Sequence, residues 1–378
     1  MAGSAAVMSL NAVGRQDTYF DGEDSFFEFN QHRHSNFTIF QRTTNINKPA
    51  TTTTTTWPFG ETIQVKMNPK NMGDLLCNMY LKCTLPTGIE PNYNTYCADV
   101  GKALIKTMEF RVDEYELETL YTDWSVIYSE LYMSEEEKEG LRFLDNNGQP
   151  SGTMAGQDTS NGVKLFIPLH FFFGRRHSTQ DFDNKLLNNK FFKPYFPLCA
   201  IHKQQIFLNI TFNDATFFTT GKNVELPQFE IVTEEVTLTH LERSYLINNK
   251  QTVTTELMRR QSPLDIDSFF VEAKNNLIPK IPVKTLHWFF RRDEFEKNPN
   301  EIANRFNYGN YYSGPTTTSN IFAQAENPIM SDAELFINGT QNLGFMESDT
   351  RNSTSTANYF KHQVPFKVGL SAPLRNVY

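Results

Sequence analysis

The chain has 378 residues, 21% of them charged and 39% apolar, with a formal net charge of −8. That balance excludes an intrinsically disordered chain and disfavours a protein whose main work is gripping a phosphate backbone. An apolar run of transmembrane length (about 18 residues) is lacking, and the opening MAGSAAVMSLNAVGRQD has no signal-peptide core, so neither a membrane-spanning helix nor secretion by that route is expected.

Aromatic content is high, with 33 Phe and 15 Tyr, which suits pleated, half-buried surfaces. The four cysteines (Cys77, Cys83, Cys97 and Cys199) form no CxxC pair, so neither a disulfide framework nor a zinc ribbon is expected. Their spacing suits assembly in a reducing compartment.

In chain order, the six threonines at 51–56 ahead of Trp57-Pro58-Phe59-Gly60 read as an extended connector. Strict alternation then begins. Ile63, Val65 and Met67 share a face in 62–68, and Leu75, Cys77, Met79, Leu81, Cys83 and Leu85 form an apolar row in 75–85. Further rows are Met108–Phe110–Val112, Val163–Leu165–Ile167–Leu169–Phe171 and Ile206–Leu208–Ile210–Phe212. In the second half come 231–239, Leu286–Trp288–Phe290 and 333–337 before the Asn338-Gly339 turn signal. Period-two rows separated by Gly, Asn and Pro clusters predict half-buried antiparallel strands in a sandwich or barrel.

Two stretches break the alternation. Residues 122–140 place Trp124, Ile127 or Tyr128, and Leu131 on one helical face, with an acidic run towards water and Gly140 as a C-terminal stop. Residues 181–193 read as a short helix or turn, bracketed by Pro194 and Pro197. Residues 145–162 and 314–320 are polar loops, and a change of block falls near His240–Asn249.

Candidate chemistry is sparse. His32 and His34 sit two apart, so an extended chain points both to one side, but only Glu28 and Asp24 are near enough to complete a metal site. A structural role is the better reading, and no metal, cofactor or catalytic residue is assigned. Arg175, Arg176 and His177 beside Asp181 and Asp183 could hold an anion, but a solvated turn with local ion pairs explains them more simply. Arg291-Arg292-Asp293-Glu294 reads as a strand end at the surface. Phosphate-binding Gly-rich turns, Gly-x-Ser-x-Gly and HExxH are all lacking, so an enzyme is not expected. Four Asn-x-Ser/Thr sequons (Asn36, Asn209, Asn338, Asn352) read as chance matches, with Asn209 inside a predicted strand.

Three clusters of phrases carry a resemblance. Between Val13 and Leu85 stand GRQDTYF, FFEFNQHRHSNF, WPFGETIQVKM and MGDLLCNMYLKCTLP. Next come Asp123-Trp124 heading a helix, IPLHFFF at 167–173, and FFKPYFPLCAIHKQQIFLNITF at 191–212. Near the end are LFINGTQ at 335–341 and YFKHQVPFKVGLSAPLRNVY at 359–378. In order and spacing these resemble the double jelly-roll major capsid proteins of nucleocytoplasmic large DNA viruses, with 240–330 the least distinctive stretch.

The resemblance implies an all-β fold of two tandem eight-stranded jelly-roll sandwiches with short connecting helices. It divides the chain into an N-terminal arm (1–60), a first jelly roll (61–240) and a second (241–378). The family continues past the final phrase with closing strands, so a longer natural protein is expected. In the arm, Phe26, Phe27, Phe29 and Phe37 are expected to be anchored by burial, with His32, Arg33 and His34 making polar contacts.

The implied function is structural: a capsid subunit forming a homotrimer, a pseudo-hexagonal capsomer that tiles an icosahedral shell in the virion after assembly in the host cytoplasm. Implied partners are neighbouring capsomers, minor capsid proteins and inner membrane proteins, with no direct nucleic-acid contact. The alternative is a minor capsid protein, or a spike or receptor-binding, carbohydrate-binding β-sandwich of a virion.

Overall fold

A computed structural model describes residues 36–47, 57, 59–86, 88–89, 92–93, 96–146, 163–175, 194–219, 228–252, 255–261, 263, 286–287, 289, 291–298, 302, 305–306, 333–337 and 340–345. The strands are β1 (Thr38–Ile46), β2 (Thr62–Met67), β3 (Leu75–Leu85), β4 (Gly88–Ile89), β5 (Asn92–Tyr93), β6 (Ile105–Val112), β7 (Tyr115–Tyr121), β8 (Val163–Pro168), β9 (Phe196–Pro197), β10 (Ile206–Phe212), β11 (Gln228–Thr237), β12 (Ala333–Ile337) and β13 (Thr340–Phe345). The helices are α1 (Val100–Leu104), α2 (Thr122–Tyr132), α3 (Glu135–Asp145), α4 (Ala215–Phe218), α5 (His240–Asn248) and α6 (Asp293–Lys297).

Two antiparallel sheets form the first sandwich. One runs β1-β11-β3-β8, with β9 pairing the start of β3; the other runs β2-β10-β6-β7. In chain order the strands cross between sheets, and that interleaving is the jelly-roll path. It works because each strand alternates: β2 reads exposed–buried three times over, and β10 buries Ile206, Leu208, Ile210 and Phe212 while its intervening residues stay half-buried. The inward rows of both sheets merge into one core with Leu76, Met79, Leu81, Phe110, Leu165, Phe229 and Ile231. Each such side chain contributes about 1.5–3 kcal/mol on burial.

The strand ends joined by 47–61, 86–104, 122–162 and 213–227 lie at one end of the sandwich. There Cys97 N–H donates to Phe218 O at 2.8 Å, and Asn213 N–H donates to Leu104 O at 3.0 Å. Trp57 plugs this end against Phe212 and Phe229, while the predicted connector 51–56 before it lies outside the described residues. The strand ends joined by 68–74, 113–114 and 169–205 lie at the other end, where Asp113 and Gln205 exchange two hydrogen bonds of 2.8 Å.

Several expectations change. Residues 38–46, read as part of the arm, are β1, whose whole length pairs with β11. Phe37, expected to be buried, is 58% exposed, at the start of a strand that is the edge of its sheet among the described residues. The single helix at 122–140 is two. Ser134 and Glu137 form a capping box that starts α3 afresh, and Gly140 lies inside that helix instead of ending it. The apolar row of β3 is broken by a register shift opposite Glu234/Glu235. Leu76, not Leu75, faces the core, and Cys77 is buried outside the core cluster.

The strands at 62–67, 105–112 and 206–212 stand as read, and 333–337 is followed across its turn by β13. The strand read at 231–239 begins earlier and becomes β11, while α5 occupies the expected change of block, started by a second capping box from Thr239 and Glu242. His32, His34, the remaining arm residues, 147–162, 181–193, 314–320, Trp288 and Phe290 lie outside the described residues.

Candidate assembly surface

Most candidate chemical residues that the structure describes prove to be structural. Cys83 and Cys97 are fully buried, and burial pushes both thiols well above the ordinary range, so they stay protonated and pack as small apolar groups. For Cys97, Asp99 pushes the same way and Arg305 opposes it. Cys199 is raised by burial and then by Asp74. Asn209, the sequon inside β10, accepts from Gln64 at 3.0 Å and donates to Glu109 at 2.7 Å, a polar rung across three strands. Among the described residues, no group of three His, Cys, Asp or Glu is arranged to hold a metal, and no helix is long and apolar enough to cross a membrane.

Arg175 overturns the expectation of a solvated turn. Its guanidinium is 2.7 Å from Glu118 Oε1, and both side chains are almost entirely buried. The same carboxylate accepts from Phe172 N–H and Met258 N–H, each at 2.8 Å, and Arg175 lies over the Trp124 ring at 5.3 Å. Arg176, His177, Asp181 and Asp183 lie outside the described residues. Arg291, expected at the surface, is paired with Asp123 at 2.7 Å, both 8% exposed, while Arg292 remains half exposed as read. Glu118 gave no sequence signal, because a carboxylate in an apolar row has meaning only once its partner is known.

The exposed apolar residues of the described surface are the other candidates for function. Helix α5 buries none of its residues: Leu241 is 81% exposed and Tyr245, four residues on, 63%. It is held at its base by Asp74, which accepts from Leu238 N–H at 2.8 Å and pairs with Arg243 at 3.2 Å. At the opposite end, α3 presents Glu135, Glu139 and Phe143 outward. Glu136, at the N-terminus of that helix, has its carboxyl held below the usual range by backbone and Ser134 hydrogen bonds, so the face stays anionic. Along the sandwich flank β1 is an edge strand, with Ile39 53% exposed. On the outer face of the same sheet Tyr80 stacks on Phe166 with ring centroids 4.6 Å apart, next to β9, which Tyr195 precedes. Burial, and then Glu234 for Tyr80 and Cys77 for Tyr195, raise both phenols, so they remain neutral donors. A sandwich with apolar residues at both ends and an open flank is suited to contacts with other protein surfaces.

Comparison with known proteins agrees with this. The family model described as "Major capsid protein N-terminus" matches residues 25–250, more than half of the chain. The major capsid protein of Pyramimonas orientalis virus is 27% identical over 212 residues, covering 55% of this chain and 47% of that protein. That of Phaeocystis pouchetii virus is 26% identical over 203 residues, covering 46% and 37%. The probable capsid protein 4 of Acanthamoeba polyphaga mimivirus is 24% identical over 231 residues, covering 57% and 38%. The matches thus span about half, or less, of the length of these relatives. Among solved structures, a subunit of the PBCV-1 virus capsid superposes with a TM-score of 0.63 at 18% identity, over 94% of this chain and 79% of that one. That superposition shows the all-β double jelly-roll fold expected from the sequence. The interleaved sandwich and the match across 25–250 together establish that the chain belongs to the major capsid protein family of the nucleocytoplasmic large DNA viruses.

Proposed function

We propose that the protein is a structural subunit of a virion shell, three copies closing around a threefold axis into a pseudo-hexagonal capsomer that tiles an icosahedral capsid. The observation that carries this reading is the eight-stranded jelly roll within the matched family region. Two sandwiches per chain supply six similar walls per trimer, and a head-to-tail contact closes the ring without self-complementary faces. On this reading the chain divides into an arm, a first jelly roll and a second. Given the β1 pairing, the arm ends near residue 37 rather than 60.

Neighbouring capsomers, minor capsid proteins and inner membrane proteins are the partners this role calls for, with assembly in the host cytoplasm. The net charge of −8 favours a shell that does not contact nucleic acid directly. The subunit needs no catalytic step and no cofactor. Light scattering and negative-stain microscopy of the purified chain test the proposal: the expected result is a compact six-lobed trimer. A stable monomer, or a slender trimer with glycan affinity, would overturn it in favour of a spike or receptor-binding protein.

A further inference from the structure

Three buried arginines share one feature: each joins the first sandwich to chain that follows α5. Arg175, besides its pair with Glu118, donates to Glu256 O and to His170 O. Glu118 in turn receives Met258 N–H, so one buried carboxylate holds β7, the segment after β8 and residues 256–258 together. Arg291 reaches back to Asp123 at the start of α2 and also pairs with Glu296 at 3.1 Å. Arg305, 1% exposed, donates to Thr216 O at 3.1 Å and Phe217 O at 2.6 Å in α4, and to Phe295 O at 2.5 Å and Glu296 O at 2.9 Å in α6. It therefore supplies donors to carbonyls in the last turns of two short helices.

Apolar burial accompanies these contacts. Ile302 and Phe306 belong to the sandwich core cluster, Leu257, Met258 and Phe289 pack against it, and Phe295 is fully buried. The piece at 256–260 also runs beside β7, the edge of the second sheet. Arg259 lies 3.4 Å from Glu116, and Arg260 sits over the Tyr121 ring at 4.9 Å. A covered edge cannot pair with a stray strand.

We propose that the described residues of 255–261, 286–298 and 302–306 form a strap that completes the first sandwich, with Arg175, Arg291 and Arg305 as its latch points, so that the N-terminal unit extends past the family match instead of ending near residue 250. The proposal concerns the single chain and stands whether or not that chain builds capsomers.

Hydrogen exchange of the full-length protein, followed on peptides covering 255–261, 291–298 and, as reference, β10, tests it. In the wild type both strap peptides should be protected. Arg305→Lys loses the planar fork and should speed exchange in 291–298 about tenfold; Glu118→Gln should do the same in 255–261. In each case β10 should speed up less than the strap peptide compared with it. Should either variant fail to fold, Met258→Pro, which removes the N–H that reaches Glu118 together with the Met258 side chain on the core, should release 255–261 alone. Unprotected strap peptides in the wild type, or variants that leave strap exchange unchanged, would overturn the proposal.

Discussion

The centre of the first sandwich and its joint with the following chain both bury side chains but are differently built. At the centre, β3, β10 and β11 interdigitate apolar rows, and any one side chain shares its neighbours with many others. At the joint, a few charged groups meet specific partners: Glu118 with Arg175, Asp123 with Arg291, and Arg305 with four carbonyls. Apolar packing responds to volume and degrades gradually. A buried charge responds to whether its partner is present, and losing one partner leaves the other desolvated and unpaired.

Glu118→Ala should therefore be the most damaging change, costing about 3–5 kcal/mol, since it strands Arg175 and two backbone N–H groups together. Urea unfolding measures this, and a loss under 1 kcal/mol would mean that water enters the joint. Arg291→Leu alone should cost about 3 kcal/mol, whereas Asp123→Leu combined with Arg291→Leu should come within about 1 kcal/mol of wild type. A double-mutant cycle reads the coupling, and additive losses would break the contrast with the core. At the centre, Ile210→Val should cost only about 1 kcal/mol, the ordinary effect of one methylene.

A further contrast concerns pH. Cys83 and Cys97 have thiols raised by burial, so in alkaline solution the unfolded chain releases their protons first, above about pH 8.5. Their contribution to stability is complete below that pH and falls as pH rises further. Urea midpoints at pH 7 and pH 10 should show the decline, and Cys83→Ala should reduce it. An identical pH dependence in that variant would argue that the thiol is not the group responsible.

Where sequence reading succeeded and failed follows the same division. The strands at 62–67, 75–85, 105–112, 163–168 and 206–212 were legible because one apolar face repeats every second residue. Strands β1 and β7 were not. In β1, Arg42 is paired with Glu235, and in β7 the core-facing row carries Glu118. Each charge interrupts the apolar row at a place where only a distant residue makes it tolerable. The split between α2 and α3 was legible in principle, since Ser134 and Glu137 have capping-box spacing, but the continuous helical face around them masked it. The candidate assembly surface was barely legible, because exposed apolar residues such as Leu241 look in sequence like the inner face of a helix.

Amino-acid order by itself determined the fold class, most strands of the first sandwich and the family, because period-two burial and phrase order are local properties of the chain. Tertiary structure alone decided that β1 belongs to the sandwich, that Arg175 and Arg291 are buried, and that residues past 250 pack on the first unit. Those outcomes rest on partners far apart in the chain, and a charge acquires its meaning only when the fold brings its counter-charge within about 3 Å.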